Sequence, residues 1–391
     1  MIEELLRHHS PAFQGMRDVY RVIHQESPVT KADLLKKMTM KQTTLVRHLD
    51  ALKQYGLIRI ASYDESSGGR PPALYDVEPK AAFIIGIALS RTETTVTIVD
   101  MSFQLAAEET FPMTEHHTPP LTISLLKQTI TSLLARNQID KKDVLGIGIG
   151  TVGPLDREKG VMYPEGFTAP GWEEVAVVEE MRESFHLDVF LENGANTAAL
   201  YESLRRRQRN ESILYCISGW GLRCGVLTNG IIMQSQKGDA SSYGNMIIDA
   251  ASGRTLSSFI SYHHLVDKAE RFIQTGDLAV SETNPNKNDV LQYVLQELKS
   301  GNAAVENIVL DSAYYYGVGL ANMINVLHPE IVVLNSELIK VSSAYYEKVI
   351  QTAQGFISRT DQQRPVFQPA DDDVNPTAVG ACVFAFYSKF S

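Results

Sequence analysis

The sequence predicts an α/β body of two similar lobes preceded by a small helical module, and three observations predict it. Residues 1–76 hold three amphipathic helical stretches and a turn-rich hairpin, strands and helices alternate from residue 82, and that alternation runs through twice. At 391 residues the chain exceeds one ordinary core, since domains average roughly 150 residues. Its composition, 44% hydrophobic and 21% charged, is that of a folded chain rather than a disordered one.

The helical module is read from apolar spacing. Met16, Val19, Tyr20, Val22 and Ile23 mark one buried face of a helix over 14–26. Thr30 is an N-cap candidate for a second helix over 31–38, with Leu34 and Leu35 turned inward. Thr39 is a cap candidate for a third, in which Leu45, Leu49 and Leu52 repeat at helical intervals until Gly56. Three helices with a short second connection form a helix-turn-helix. Two strand-like runs then flank Asp64-Glu65-Ser66-Ser67-Gly68-Gly69-Arg70-Pro71-Pro72, which predicts a hairpin, or wing.

In the body, strands are expected over 83–89, 94–99 and 104–111, then a helix over 120–136. A buried strand over 144–150, a helix over 173–185, a strand over 188–192 and a helix over 195–207 complete the first set. The second set has strands over 212–218 and 225–233, a helical region over about 254–325 and a strand over 331–334. The expected domains are therefore 1–77 and 82–391.

Charge divides the chain in the same place. The net charge is −10, yet residues 1–76 hold 11 Lys or Arg against 9 Asp or Glu, while the remainder holds 25 against 37. Only the first segment can readily approach a polyanion. The start lacks the apolar core of a signal peptide, and no apolar run reaches the ~20 residues that span a bilayer. Three cysteines without a Cys-x-x-Cys pair suit a reducing compartment. A cytoplasmic protein with no membrane partner is expected.

Four further motifs join Gly68-Gly69-Arg70-Pro71-Pro72. They are Gly146-Ile147-Gly148-Ile149-Gly150-Thr151-Val152-Gly153-Pro154-Leu155-Asp156, Pro170-Gly171-Trp172, Glu192-Asn193-Gly194-Ala195-Asn196 and a run from Gly317-Val318-Gly319 to His328-Pro329-Glu330. Each is weak alone, but their joint order across nearly the whole chain resembles the regulator branch of the ROK family (repressors, open reading frames, kinases), that of the xylose and N-acetylglucosamine repressors. The resemblance implies a winged helix-turn-helix followed by an actin- or hexokinase-like two-lobed domain, and sugar-responsive control of transcription.

A recognition helix keeps an apolar stripe on its own core and offers polar and basic side chains to base edges and phosphates. In the third helix Lys41, Gln42, Thr43 and Arg47 point outward and Thr44 lies at the boundary. Gln pairs bidentately with adenine, Arg with guanine, and Thr and Lys hold phosphates. Arg70 in the wing is placed to enter a minor groove or grip phosphate. The expected partners are an operator duplex and a second copy of the chain, as a homodimer or homotetramer.

The kinase members of the family carry a phosphate loop resembling Asp-x-Gly-Gly-Thr, where this chain has Ala88-Leu89-Ser90-Arg91-Thr92. Their general base lies in a motif resembling Glu-Asn-Asp-Ala-Asn, and here Gly194 occupies that place and cannot accept a proton. No catalytic residue is expected. The family's Gly-Glu-Ile-Gly-His corresponds to Ser241-Ser242-Tyr243-Gly244-Asn245, so the sugar-gripping glutamate and the histidine of a structural zinc site are both replaced. With no cysteine between Cys224 and Cys382, no metal site and no cofactor are expected. A neutral pocket of Thr168, Gly171, Asn193, Ser242 and Asn245 is the expected site for a sugar or sugar-derivative effector. Two other readings stay open: a sugar kinase with an appended DNA-binding module, and a ligand-independent DNA-binding protein with a vestigial cleft.

Overall fold

Among the described residues of the first 77, apolar spacing becomes four helices and a pair of antiparallel strands. The structure is a computed structural model that describes residues 2–7, 10–64, 71–206, 211–233, 240–275, 287–358, 364–371 and 373–390. A short helix α1 (Ile2–Arg7), absent from the sequence expectations, precedes α2 (Pro11–Glu26), α3 (Lys31–Lys37), α4 (Gln42–Gln54) and the antiparallel strands β1 (Ile58–Tyr63) and β2 (Ala73–Val77). Thr30 caps α3 as expected: its Oγ1 accepts from Asp33 N while Asp33 Oδ2 accepts from Thr30 N, which satisfies two helix-end donors reciprocally. Thr39 does not cap α4. The N-cap is instead Lys41, two residues later, whose carbonyl accepts from Leu45 N at 3.0 Å, because residues 38–41 are used to turn the chain between the helices.

The first lobe follows. Strands β3 (Phe83–Leu89), β4 (Glu93–Asp100) and β5 (Leu105–Pro112) run antiparallel, and α5 (Pro119–Arg136) leads to β6 (Val144–Thr151), β7 (Leu155–Asp156) and β8 (Val161–Met162). Then come α6 (Val177–Phe185), β9 (Val189–Asn193) and α7 (Gly194–Arg206). The sheet order is β5-β4-β3-β6-β9, with β6 and β9 parallel to β3. Helix α6 is shorter than expected because Val175 exchanges backbone hydrogen bonds with Met162 instead of entering the helix.

The second lobe repeats that plan. Its sheet comprises β10 (Ile213–Ser218), β11 (Leu222–Thr228) and β12 (Ile231–Ile232), joined by strands later in the chain. One strand expected over 225–233 is in fact a hairpin, since Asn229 and Gly230 both take positive φ and reverse the chain. After the small pair β13 (Ile247–Asp249) and β14 (Arg254–Thr255) come α8 (Ser257–Ile260), α9 (Tyr262–Thr275), α10 (Lys287–Ser300) and the buried α11 (Ala303–Leu327). Strand β15 (Ile331–Asn335), helices α12 (Glu337–Val341) and α13 (Ser343–Phe356) and strand β16 (Val366–Pro369) complete it. The order β12-β11-β10-β15-β16 has the same antiparallel and parallel pairings as the first sheet. Gly317 and Gly319 face Thr352 and Leu256, so their missing side chains serve helix packing.

The last helix, α14 (Pro376–Phe390), belongs to the first lobe. The chain divides into two compact units: residues 1–197, 204–207 and 375–391 form one, and 198–203 with 208–374 the other. Among the described residues no helix is long and apolar enough to cross a membrane.

Candidate nucleic-acid interface and candidate effector site

Helix α4 separates its residues by chemistry. Leu45, Leu49 and Leu52 are fully buried, while Lys41, Gln42, Thr43 and Arg47 are exposed and Thr44 is half-buried. The inward stripe also contains His48, whose ring sits against Gly15 of α2. Burial, and then the Arg47 charge, hold the His48 imidazole below its usual value. The module thus offers a polar, basic face at the start of α4, as expected from the spacing of the leucines. Arg70, the wing residue, lies outside the described residues.

The expected effector groups are dispersed over both units. Thr168 and Gly171 are exposed, and Gly171 takes φ +92°, a conformation that favours glycine and lets Trp172 turn inward. Trp172 is buried, donates from Nε1 to His117 O at 3.0 Å and stacks on Phe167 at 4.3 Å. Asn193 is fully buried, and its Oδ1 accepts from Ala195 N at 3.0 Å at the start of α7. In the second unit Ser242 and Asn245 are exposed on one short 3-10 turn, Ala240–Asn245.

Glu192 has a role that spacing did not reveal. It is wholly buried, and Arg157 grips it with both arms, Nε to Oε2 at 2.8 Å and Nη2 to Oε1 at 2.6 Å. Asn193 N and Asn196 Nδ2 donate to the same carboxylate at 2.7 and 2.9 Å. A carboxylate with these partners is a structural anion tying the 157 loop to the β9 end. Beside it, a Cβ at Gly194 would lie 3.1 Å from Thr377 Cγ2, and the Gly194 carbonyl accepts from Thr197 Oγ1 and Thr377 Oγ1 at 3.1 and 3.2 Å.

The turn after β3 is closed by its own side chains. Ser90 Oγ donates to Glu93 O at 2.7 Å, and Arg91 Nε donates to Glu165 O at 2.7 Å. In the second unit, Trp220 at the β10–β11 turn packs edge-on to Tyr262, centroids 5.8 Å apart, and the Tyr262 hydroxyl accepts from Glu337 N at 3.2 Å. The start of α12 is thereby filled by Tyr262 and by its own Ser336 cap. Among the described residues no group of three or more His, Cys, Asp or Glu is placed to hold a metal ion.

The family model described as ROK family matches residues 84–386. The chain belongs to the ROK family. It is 24% identical over 345 residues to a putative xylose repressor of Caldicellulosiruptor sp. (strain Rt8B.4), with 85% of each chain covered. A crystal structure of a ROK family transcriptional regulator, a homologue of the Escherichia coli MLC protein, matches 96% of both chains with a TM-score of 0.77 at 18% identity. The ROK hexokinase of Thermus thermophilus matches 98% of its own length but 78% of this one, with a TM-score of 0.63 at 22% identity. The fold of this chain is an N-terminal winged helix-turn-helix followed by an actin- or hexokinase-like two-lobed domain.

Proposed function

We propose that this ROK protein is a sequence-specific DNA-binding transcription regulator, a repressor of carbohydrate-related genes. Residues 1–77 are its DNA-binding domain and residues 82–391 its effector and oligomerisation domain. The observation that carries this reading is α4, which buries Leu45, Leu49 and Leu52 and presents Lys41, Gln42, Thr43 and Arg47 to solvent at one end. A relative in Caldicellulosiruptor bescii, 24% identical over 343 residues, bears the name of a xylose repressor, which supports the same reading. Thr44 and Arg70 complete the proposed contact set. The protein acts as a homodimer or homotetramer, so that twofold-related α4 helices meet an inverted repeat.

The kinase-like body binds a sugar or sugar derivative through Thr168, Gly171, Asn193, Ser242 and Asn245 without phosphorylating it. Ala88 and Gly194 replace the carboxylates that the resemblance assigns to metal and proton handling, and Glu192 is already held by Arg157. With Mg-ATP and a panel of hexoses, no sugar phosphate should form above a no-enzyme control, in the native chain or in Gly194→Asp. Turnover that cleft substitutions abolish would overturn this part.

DNA binding is tested by a genome-wide selection on the full-length protein. The expected result is one recovered inverted-repeat motif whose affinity falls steeply with salt. Recovery of no motif would reject the reading.

A further inference from the structure

The last helix, α14, meets three parts of the first unit at once. At its start, Asn375 Oδ1 caps Thr377 N and Ala378 N at 3.1 Å each, Asn375 Nδ2 donates to Thr95 Oγ1 at 3.1 Å, and Thr377 Oγ1 donates to Gly194 O at 3.2 Å. Along its middle it lies on glycines of the sheet: a Cβ at Gly86 would run into the Ala378 backbone, and one at Gly148 into that of Ala381. Helix and sheet therefore touch backbone to backbone, and α14 cannot tilt without the strands beneath it moving.

At its far end α14 touches the DNA-binding module. Phe386 and Phe390 pack on Tyr20 and His24 of α2, with centroid separations of 4.1 Å for His24–Phe386 and 5.4 Å for Tyr20–Phe390. Phe103 joins them, 4.8 Å from His24 and 5.6 Å from Phe386. Phe103 sits in the β4–β5 turn at φ +58°, where Gly or Asn is the usual residue. A phenylalanine held in that strained conformation points to a ring that is needed where it stands.

We propose that α14 is a strut that carries a displacement of the Gly194 loop to α2, and so lets the body set the position and order of the DNA-reading module. Fifteen helical residues span roughly 22 Å from Pro376 to Phe390. Hydrogen bonds at one end, glycine-seated backbone in the middle and ring packing at the other make a contiguous path whose elements do not deform continuously. The purpose of the device rests on the proposed regulator function, but its test uses neither DNA nor an effector.

The test is amide hydrogen exchange on full-length protein, read over residues 11–26. Gly194→Ala places a methyl 3.1 Å from Thr377 Cγ2, and should change exchange in that segment by about fivefold or more, the lower range of coupling between sites. Thr377→Ser in the same chain removes the opposing methyl but keeps the hydroxyl, and should return exchange to the native rate. Phe386→Leu should abolish the response to Gly194→Ala. Unchanged exchange over 11–26 in Gly194→Ala, or a change that survives both second substitutions, overturns the strut. If Gly194→Ala does not accumulate folded, Thr377→Val, which removes the bond to Gly194 O, is read by the same criterion. Failure here leaves the recovered DNA motif standing, and failure to recover a motif leaves this result standing.

Discussion

His24 lies against Phe386 with ring centroids 4.1 Å apart and planes 25° apart, so a helix of the N-terminal helix-turn-helix and the last helix of the chain share one aromatic core. Phe386 is fully buried and also meets Tyr20, Phe103 and Phe390. Phe386→Ala should cost about 3–5 kcal/mol by the usual penalty for emptying a buried aromatic site. Chemical denaturation of the full chain measures this, and a loss below about 1 kcal/mol would mean that the ring contributes little.

Gly148 is irreplaceable for a different reason. Any side chain there enters the Ala381 backbone, which cannot move aside as a flexible side-chain tip could. Overpacking typically costs about 1–3 kcal/mol, and Gly148→Ala should reach or exceed the top of that range because the obstacle is main chain. A variant melting like the native protein would show that α14 is not seated as described.

Arg157→Met should destabilise the first unit by about 3–5 kcal/mol, since it strands the buried Glu192 carboxylate without its guanidinium. The double variant with Glu192→Gln should recover part of that loss. A double variant no better than the single one would argue that packing of the arginine stem, not its charge, is what matters.

His48 makes the stability of the N-terminal helix-turn-helix depend on pH. Its folded value is lowered, mainly by burial, so the unfolded chain binds the proton more readily. Stability from this group is complete above the unfolded value of about 6.5 and falls as pH drops towards the lower folded one. His48→Gln should flatten the difference between pH 7.5 and pH 5.5 in the unfolding of the module. An unaltered pH profile would place the titration elsewhere.

Arg47→Ala should weaken binding to the selected DNA motif by about 1–3 kcal/mol and relax selectivity at one base pair. Arg47 is exposed, so protein stability should be unaffected. Arg70→Ala should weaken specific and nonspecific duplexes alike if the side chain holds phosphate. Binding isotherms on matched and scrambled duplexes separate the two, and unchanged affinity in both variants would remove these residues from the interface.

The sequence by itself determined the local elements whose cause is local. The leucine spacing in α4, the Thr30 cap and the alternation of strands and helices depend on periodicity and on neighbouring residues, and each is visible in a linear chain. The Asn229-Gly230 reversal was equally local, carried by a dipeptide that signals a hairpin, but the single strand expected over 225–233 passed over it. The apolar run of α14 also stood in the sequence, but apolar all round it carries no face to read.

Only the tertiary structure decided which distant residues meet. Arg157 reaches Glu192 across 35 positions, Thr377 reaches Gly194 across 183, and His24 finds Phe386 near the opposite end of the chain. No spacing rule links such pairs, because their approach follows from strand order and from the glycines that let α14 settle on the sheet. The glycines of the 146–150 motif show the division plainly. Their pattern marked a family in the sequence, while the physical reason for Gly148, backbone contact with Ala381 of a helix more than 200 residues away, exists only in the fold.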